Sequence, residues 1–400
     1  MNEQHPLDPK RTALIHHPYQ PPAGFEAPQP AVHKASTVIF PNTAALHARN
    51  WKEKSGYTYG LHGTPTTFTL EERIATLEGG LQALLAPSGL AAITLVDAAL
   101  LQCGDEVLIP DNAYGPGKEL ARNELARWGI THRFYDPMDA PALAATLSPA
   151  TKLVWLEAPG SVTMEFPDLP ALVRAARAQG ALVVLDNTWG AGLAFDPFDL
   201  DRSGAERLGV DISVHALTKY PSGGGDVLMG SVVTRDEALH LRLKFTHMRM
   251  GWGIGANDAE VLLRSLPSLA LRYEAQDRAA RRLAHWWAQR PEVAQVLHPA
   301  LPKSPGHEHW LRLCTQAAGL FAVVFDARFD PAQVDAFVDA LRLFRIGYSW
   351  GGPVSLVVPY DLSVVRPGSA WRGTLVRFSV GLEAVADLTA DSAQALDVLR

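Results

Sequence analysis

The chain has 400 residues, a formal net charge of −6, 47% apolar and 20% charged residues, and two cysteines. Such a composition is too apolar for a disordered chain, and mild acidity without a basic run argues against nucleic acid and membrane-surface partners. Cys103 and Cys314 lie far apart, which suggests neither a zinc site nor a disulfide framework and fits a reducing compartment.

At roughly 150 residues per domain the length predicts two or three domains. A charged fraction a little under the usual ~25% hints that some surface is buried against a partner subunit. The sequence opens without a secretory pattern, and its apolar runs stop far short of the ~20 residues of a membrane span, so a cytoplasmic globular protein is expected. Residues 1–62 scatter Pro18, Pro21, Pro22, Pro28, Pro30 and Pro41 through a segment with little helical period, which predicts an extended arm making subunit contacts.

Residues 63–257 read as a large domain of alternating helices and short apolar runs. Strands are predicted at 106–110, 132–135, 152–156, 181–185, 210–214 and 227–233. Between the third and fourth of these, Asp168 reads as an N-cap, Pro170 sits in the first helical turn, and Gly180 closes the helix. That makes a βαβ unit, and uniformly apolar strands imply a sheet covered on both faces. The expected architecture is a doubly wound, mostly parallel α/β domain. A helical stretch over 258–289, interrupted near Pro267, begins a smaller α+β C-terminal domain (258–400), with strands at 320–325 and 374–380 and a helix over 331–343.

In open α/β sheets ligands bind beyond the carboxyl ends of the strands. Polar residues there are Tyr114 after the first strand, Glu157 and Ser161 after the third, Asp186 and Thr188 after the fourth, and Thr218-Lys219 after the fifth. A Schiff-base lysine needs a lowered pKa, and a pyridoxal ring needs a carboxylate at its nitrogen; Lys219 and Asp186 supply that pair. Ser88-Gly89-Leu90 opens a helix whose free N–H groups suit a phosphate, and Thr218 could add a hydroxyl. Taken singly each has an ordinary explanation: a solvated loop lysine, an ion-pair carboxylate, an N-cap.

Five motifs occur in order: Ala-Pro-Ser-Gly-Leu-Ala-Ala from Ala86, Asp-Asn-Ala-Tyr from Asp111, Leu-Glu-Ala-Pro-Gly-Ser from Leu156, Leu-Asp-Asn-Thr-Trp from Leu185, and Ala-Leu-Thr-Lys-Tyr from Ala216. With them the chain resembles the Cys/Met-metabolism family of pyridoxal-phosphate enzymes, of aspartate-aminotransferase-like fold (fold type I). The likeness covers nearly the whole chain. Asp186–Gly192, Tyr348–Gly352 and Gly373–Arg377 are most similar to its bacterial cystathionine β-lyase branch.

The resemblance implies that Lys219 carries pyridoxal 5'-phosphate and acts as base, Asp186 pairs with the ring nitrogen, and Tyr114 stacks on the ring. It further implies that Ser88, Gly89, Leu90, Thr188 and Thr218 hold the cofactor, joined by Tyr59 of the partner subunit, which also reaches the substrate. Arg377 would clamp the substrate α-carboxylate, assisted by Ser349 and Trp350. Strand alternation supports that role, since Val376, Phe378 and Val380 share one face and Arg377 takes the other. The implied partner is a second copy of the chain, in a homotetramer built from dimers that share active sites. The implied reaction is cleavage of L-cystathionine to homocysteine, pyruvate and ammonia, in methionine biosynthesis. A broader cysteine-S-conjugate β-lyase or desulfhydrase, a γ-eliminating relative and a non-catalytic cofactor-binding homologue are the alternatives.

Two departures stand out. Leu61 occupies the place of a family arginine that binds phosphate, with His62 beside it. Met248–Gly255 differs from the β-lyase pattern, which bears on the distal substrate group. Gly251-Trp-Gly-Ile-Gly255 follows a helix rather than a strand, so a dinucleotide role is not expected. His307 and His309 sit on a loop without a nearby further ligand, so no metal is expected.

Overall fold

The computed structural model describes residues 9–17, 23–25, 27–54, 56–201, 207–366 and 373–399. Seven strands build the large sheet: Gln82–Ala86 (β1), Glu106–Pro110 (β2), Thr131–Tyr135 (β3), Thr151–Glu157 (β4), Leu182–Asp186 (β5), Ile212–His215 (β6) and Gly230–Thr234 (β7). Their order is β1-β7-β6-β5-β4-β2-β3. Pairs from β6 to β3 are parallel, while β7 runs antiparallel to both of its neighbours.

Alternation along the strands feeds two cores, one on each face. On β5, Val183 and Leu185 enter one core and Val184 the other, all without solvent exposure. The crossover from β4 to β5 is the helix Leu169–Ala178, capped by Asp168, whose carboxylate accepts from the Ala171 N–H, with Pro170 in its first turn. Proline costs nothing there because that N–H has no helical partner.

A second sheet is made by Val293–Leu297 (β8), Leu320–Phe325 (β9), Arg345–Ile346 (β10), Leu356–Asp361 (β11) and Thr374–Ser379 (β12), in the order β10-β11-β12-β9-β8. It is antiparallel except for β10 on β11. Trp287 is fully buried in its core, with its ring 5.4 Å from Phe378 and 5.6 Å from Phe337.

The expected helical stretch appears as Ala256–Ser265, a 3-10 turn at Leu266–Ser268 around Pro267, and Leu269–Trp287. The last of these spans both domains. Leu269, Ala270 and Tyr273 belong to the large core, which also takes in Leu320, Ala322, Val324 and Leu375 of the second sheet, whereas Ala280, Leu283 and Trp287 belong to the smaller core on that sheet's other face. Tyr273 also donates to the Trp189 carbonyl at 2.9 Å.

The arm corrects one expectation. Pro9–Ile15 is a helix rather than extended chain, and its Leu14 is buried in the large core. A proline in the first turn starts that helix rather than breaking it. Thr43–His47 is a further short helix. Pro18, Pro21 and Pro22 lie outside the described residues. From residue 27 to 41 the chain is irregular and mostly exposed, with Ile39 at 90%.

Trp287 joins the long helix to the small sheet. Its replacement by alanine should cost about 3–5 kcal/mol, measured as a fall in the denaturation midpoint; a loss below about 1 kcal/mol would mean that the ring cluster does not hold this core.

Candidate cofactor and substrate site

The carboxyl ends of β2, β4, β5 and β6 reach one rim. Glu157 ends β4 and Asp186 ends β5, and the two are register partners. They share a sheet face with Trp155 and Val184, under the helix Gly89–Leu100. Glu157 Oε2 accepts the Tyr114 backbone N–H at 2.8 Å, so the third strand end fixes the turn that carries the tyrosine. Tyr114, Trp155, Glu157 and Asp186 line one cavity with Ala113 and Asp97.

Two adjacent carboxyls in a dry cleft disfavour double ionisation. Burial and the Asp186 charge push Glu157 up to about 8. Burial raises Asp186 as well, and the rise is opposed there by Thr188, His215 and Lys219 and at Glu157 by the Tyr114 N–H, Ser161 and Lys118. Asp186 Oδ1 accepts the Thr188 N–H at 3.0 Å, and Thr188 Oγ1 accepts the Ala216 N–H at 2.9 Å, which ties β5 to the turn after β6. Behind the sheet, fully buried Glu78 bonds Asn187 (2.9 Å), Ser213 (2.8 Å) and His215 (2.9 Å), anchoring the same strand ends from the other face.

From β6 the chain turns through Thr218 to Lys219. Lys219 Nζ donates to Ser349 Oγ at 2.8 Å and lies 5.5 Å from the Trp350 ring. Burial, then the Arg377 charge, lower this amine to about 8, with Asp186 opposing. Ser349 has φ 98°, a left-handed value that costs a non-glycine residue of order 1–3 kcal/mol. Gly351 (φ 80°) lets the loop close in, since a Cβ there would stand 2.8 Å from the Tyr220 nitrogen.

At the other end of the cleft, Ser88 caps the helix Gly89–Leu100 by accepting from the Ala91 N–H at 3.0 Å. The N–H groups of Gly89 and Leu90 are left without helical acceptors. A Cβ on Gly89 would stand 2.6 Å from the Ala216 Cβ, so only glycine lets this helix start approach the Lys219 turn. Thr218 Oγ1 and the Met229 backbone exchange two hydrogen bonds at 3.1 Å, so its hydroxyl proton is already engaged.

Arg377 enters from the small domain on β12. Val376 and Phe378 point into the small core, and Arg377 takes the opposite face as the alternation predicts. It is buried, donates to the Ser161 carbonyl at 3.1 Å and lies 5.4 Å over the Tyr360 ring. Among the described residues no carboxylate pairs with it within 4 Å. A buried guanidinium without a counter-ion is costly, and it marks a place for an anion.

Lys219, Asp186, Tyr114, Ser349, Trp350 and Arg377 thus meet in one cleft, with Ser88–Leu90, Thr188 and Thr218 at its end. Tyr59 does not join them. Its ring is nearly half exposed on the turn before Gly60–His62 and meets His62 edge-on at 5.9 Å. His62 turns inward, 2.8 Å from Thr58 Oγ1 and 5.4 Å from the Trp51 ring, while Leu61 lines a cavity with Met248, Gly253 and Ile254. Gly251 (φ 71°) ends the helix Glu237–Met250, and His309 lies 3.4 Å from Asp168.

A family model described as Cys/Met metabolism PLP-dependent enzyme matches residues 11–397. The chain belongs to this family. Cystathionine beta-lyase of Bordetella avium is 40% identical over 95% of this chain and 94% of its own. Cystathionine beta-lyase MetC of Escherichia coli is 36% identical over 90% and 91%. The crystal structure of metB from Corynebacterium glutamicum superposes with a TM-score of 0.88, at 28% identity, covering 98% of both chains.

This enzyme therefore depends on pyridoxal phosphate, and its residues fit that group. The cleft offers an amine of lowered pKa, a carboxyl group on a strand end, an aromatic ring and a helix start that only glycine permits. Sequence reasoning located Glu157 without a role and missed Asp97, whose carboxyl accepts from Trp155 Nε1 at 2.9 Å and is pushed up to about 7 by burial. It missed Tyr360 as well, because a cross-strand neighbour leaves no spacing signal.

Lys219 in cofactor-free protein should react with an amine-directed reagent with half-maximal rate near pH 8, because the neutral amine is the reactive form and accumulates above its lowered pKa. Surface lysines should follow at about 10.4. Mass-spectrometric labelling across pH checks this, and a Lys219 profile that tracks the surface lysines would contradict the burial argument.

Proposed function

We propose that this enzyme is a carbon–sulfur β-lyase that cleaves L-cystathionine with water to homocysteine, pyruvate and ammonia. The observation that carries the reading is Arg377, a buried cation without a protein counter-ion, placed across the cleft from an amine of lowered pKa. That pairing suits an α-amino acid, whose carboxylate answers the guanidinium while its Cα–H faces the base. The relatives named cystathionine beta-lyase, at 36% and 40% identity, support the choice of substrate.

Bound pyridoxal phosphate supplies an electron sink for the pair released from Cα. In this reading Arg377 binds the carboxylate, with Ser349 and Trp350 shaping its surroundings. Holding the Cα–H bond perpendicular to the ring selects that bond for cleavage. Lys219, partly neutral at physiological pH, takes the Cα proton at Nζ. Asp186 keeps a proton on the ring nitrogen, and Thr188 orients that carboxylate. Tyr114 stacks on the ring and assists departure of the thiolate. Gly89 and Leu90 offer backbone N–H groups to the phosphate behind the Ser88 cap. Thr218 would join them only by releasing the Met229 carbonyl.

Tyr59 has a place in this scheme as a residue of the partner subunit, reaching phosphate and substrate in the other chain. Its exposure and the bare Ile39 on the arm support subunit contact there. The family resemblance extends the pair to a tetramer of two dimers. Among the described residues no helix is long and apolar enough to cross a membrane; a cytoplasmic place in methionine biosynthesis is part of the same proposal.

Lys219→Ala should abolish turnover together with the visible absorbance of the bound cofactor, and unchanged turnover would sink the mechanism. Arg377→Ala should lower kcat/KM by about 100-fold or more while cofactor affinity stays close to that of the parent; equal loss of both would make the arginine structural. Cystathionine, cystine and homocysteine offered in competition decide the substrate: pyruvate with homocysteine supports this reading, and 2-oxobutanoate with cysteine supports γ-elimination.

A further inference from the structure

Arg366 closes the short helix Leu362–Val365 of the small domain and is 6% exposed, yet its guanidinium is bonded to the large domain. Nη1 reaches Glu165 Oε1 at 2.6 Å and Thr163 Oγ1 at 3.3 Å, and Nη2 reaches Asp111 Oδ1 at 3.0 Å. The second Glu165 oxygen accepts from Asn112 Nδ2 at 3.0 Å and from the Thr163 hydroxyl. One cation therefore gathers two loops. The first, Asp111-Asn112, runs straight into Tyr114. The second, Thr163–Glu165, begins two residues after Ser161, whose carbonyl receives Arg377. The loops are pressed together, since a Cβ on Gly160 would stand 2.2 Å from Asn112 Nδ2.

Stability alone does not call for this arrangement. A buried ion pair is often no better than well-packed apolar groups of the same volume, whereas a guanidinium fork fixes the relative position of what it bridges. Its donors here point in two directions, one to each loop, and it is carried by the domain that also carries Arg377. Nothing else among the described residues joins the small domain to both loops through one side chain.

We propose that Arg366 is a positioning residue, a latch that holds the small domain against the Tyr114 and Ser161 loops and so sets the spacing between the ring-stacking tyrosine and the carboxylate clamp. The proposal rests on the roles given above to Tyr114 and Arg377. Its consequence is selective. Loss of the latch should loosen the grip on the substrate, while the Lys219, Asp186 and Gly89 contacts, all on the large domain, keep the cofactor.

The test compares Arg366→Met, Arg366→Lys and Asp111→Asn with the parent holoenzyme, using Val364→Ala, at an exposed neighbouring position, as the control. Arg366→Met should raise KM for the amino acid about tenfold or more, since small misplacements are costly, with cofactor affinity changed by less than about threefold. Lysine, which cannot fork between two carboxylates, should give an intermediate KM, as should Asp111→Asn. In cofactor-free protein, hydrogen exchange should quicken in residues 111–117 and 160–166 of Arg366→Met and stay slow in β9.

A lower denaturation midpoint with unchanged KM and unchanged loop exchange would overturn the latch and leave a merely structural arginine. If Arg366→Met does not fold, the lysine and Asp111→Asn variants decide by the same two readouts. A parent enzyme that cleaves no sulfur amino acid, but whose variants show the exchange pattern, would sink the lyase reading and leave the latch standing.

Discussion

Arg377 is a guanidinium held away from water on the inner face of β12, with no ion-pair partner among the described residues, and the cleft is organised round that cost. An isolated buried charge is unfavourable by several kcal/mol unless hydrogen bonds or an opposite charge answer it. Ser161 and the Tyr360 ring answer it only in part. The remainder is felt by its neighbours. The amine of Lys219 is lowered partly by this charge, and an anion entering the cleft would relieve both. In the proposed reaction a substrate carboxylate would be attracted by the same charge that helps to lower the Lys219 amine.

The carboxyl pair on the opposite side of the cleft works by the converse logic. Adjacent parallel strands place Glu157 and Asp186 side by side, and neither could ionise freely if both did. Thr188, Lys219 and His215 favour the ionised form at Asp186, while Glu157 gives its oxygen to the Tyr114 backbone. Ser349, at a strained φ of 98°, presents its hydroxyl to the Lys219 amine. Strain, unpaired charge and two raised carboxyls fall close together, as groups with perturbed pKa values tend to at functional sites.

Much of this was legible in the sequence, for definable reasons. Strands buried on both faces announce themselves as short apolar runs, so 106–110 and 320–325 match β2 and β9 residue for residue. Strand-end rules then place Asp186 and Lys219 on one rim without knowledge of the turn between them. The Gln82–Ala86 segment has good helix formers and becomes β1 only because β7 lies beside it, which is a tertiary decision. The helix Pro9–Ile15 was hidden because it is only seven residues long and precedes a segment scattered with prolines. Arg366 was invisible for a deeper reason. Its partners Asp111 and Glu165 stand more than 200 positions away, and an ion pair across such a distance leaves no period to find.

The two sheets divide the labour in a way that the long helix makes possible. Leu269–Trp287 is embedded in the large core at one end and in the small core at the other, so one helix runs through both. Groups proposed to meet the cofactor stand at the strand ends of the large sheet and on the turns beside them, anchored from behind by Glu78. Groups placed to meet the substrate carboxylate stand on the small sheet and its loops. The inner face of the small sheet also packs into the large core through Leu320, Ala322, Val324 and Leu375, and the Arg366 contacts add a polar connection to the loops that carry Tyr114 and Ser161. The proposed reaction depends on orientation, because the bond that breaks would be chosen by its angle to the ring.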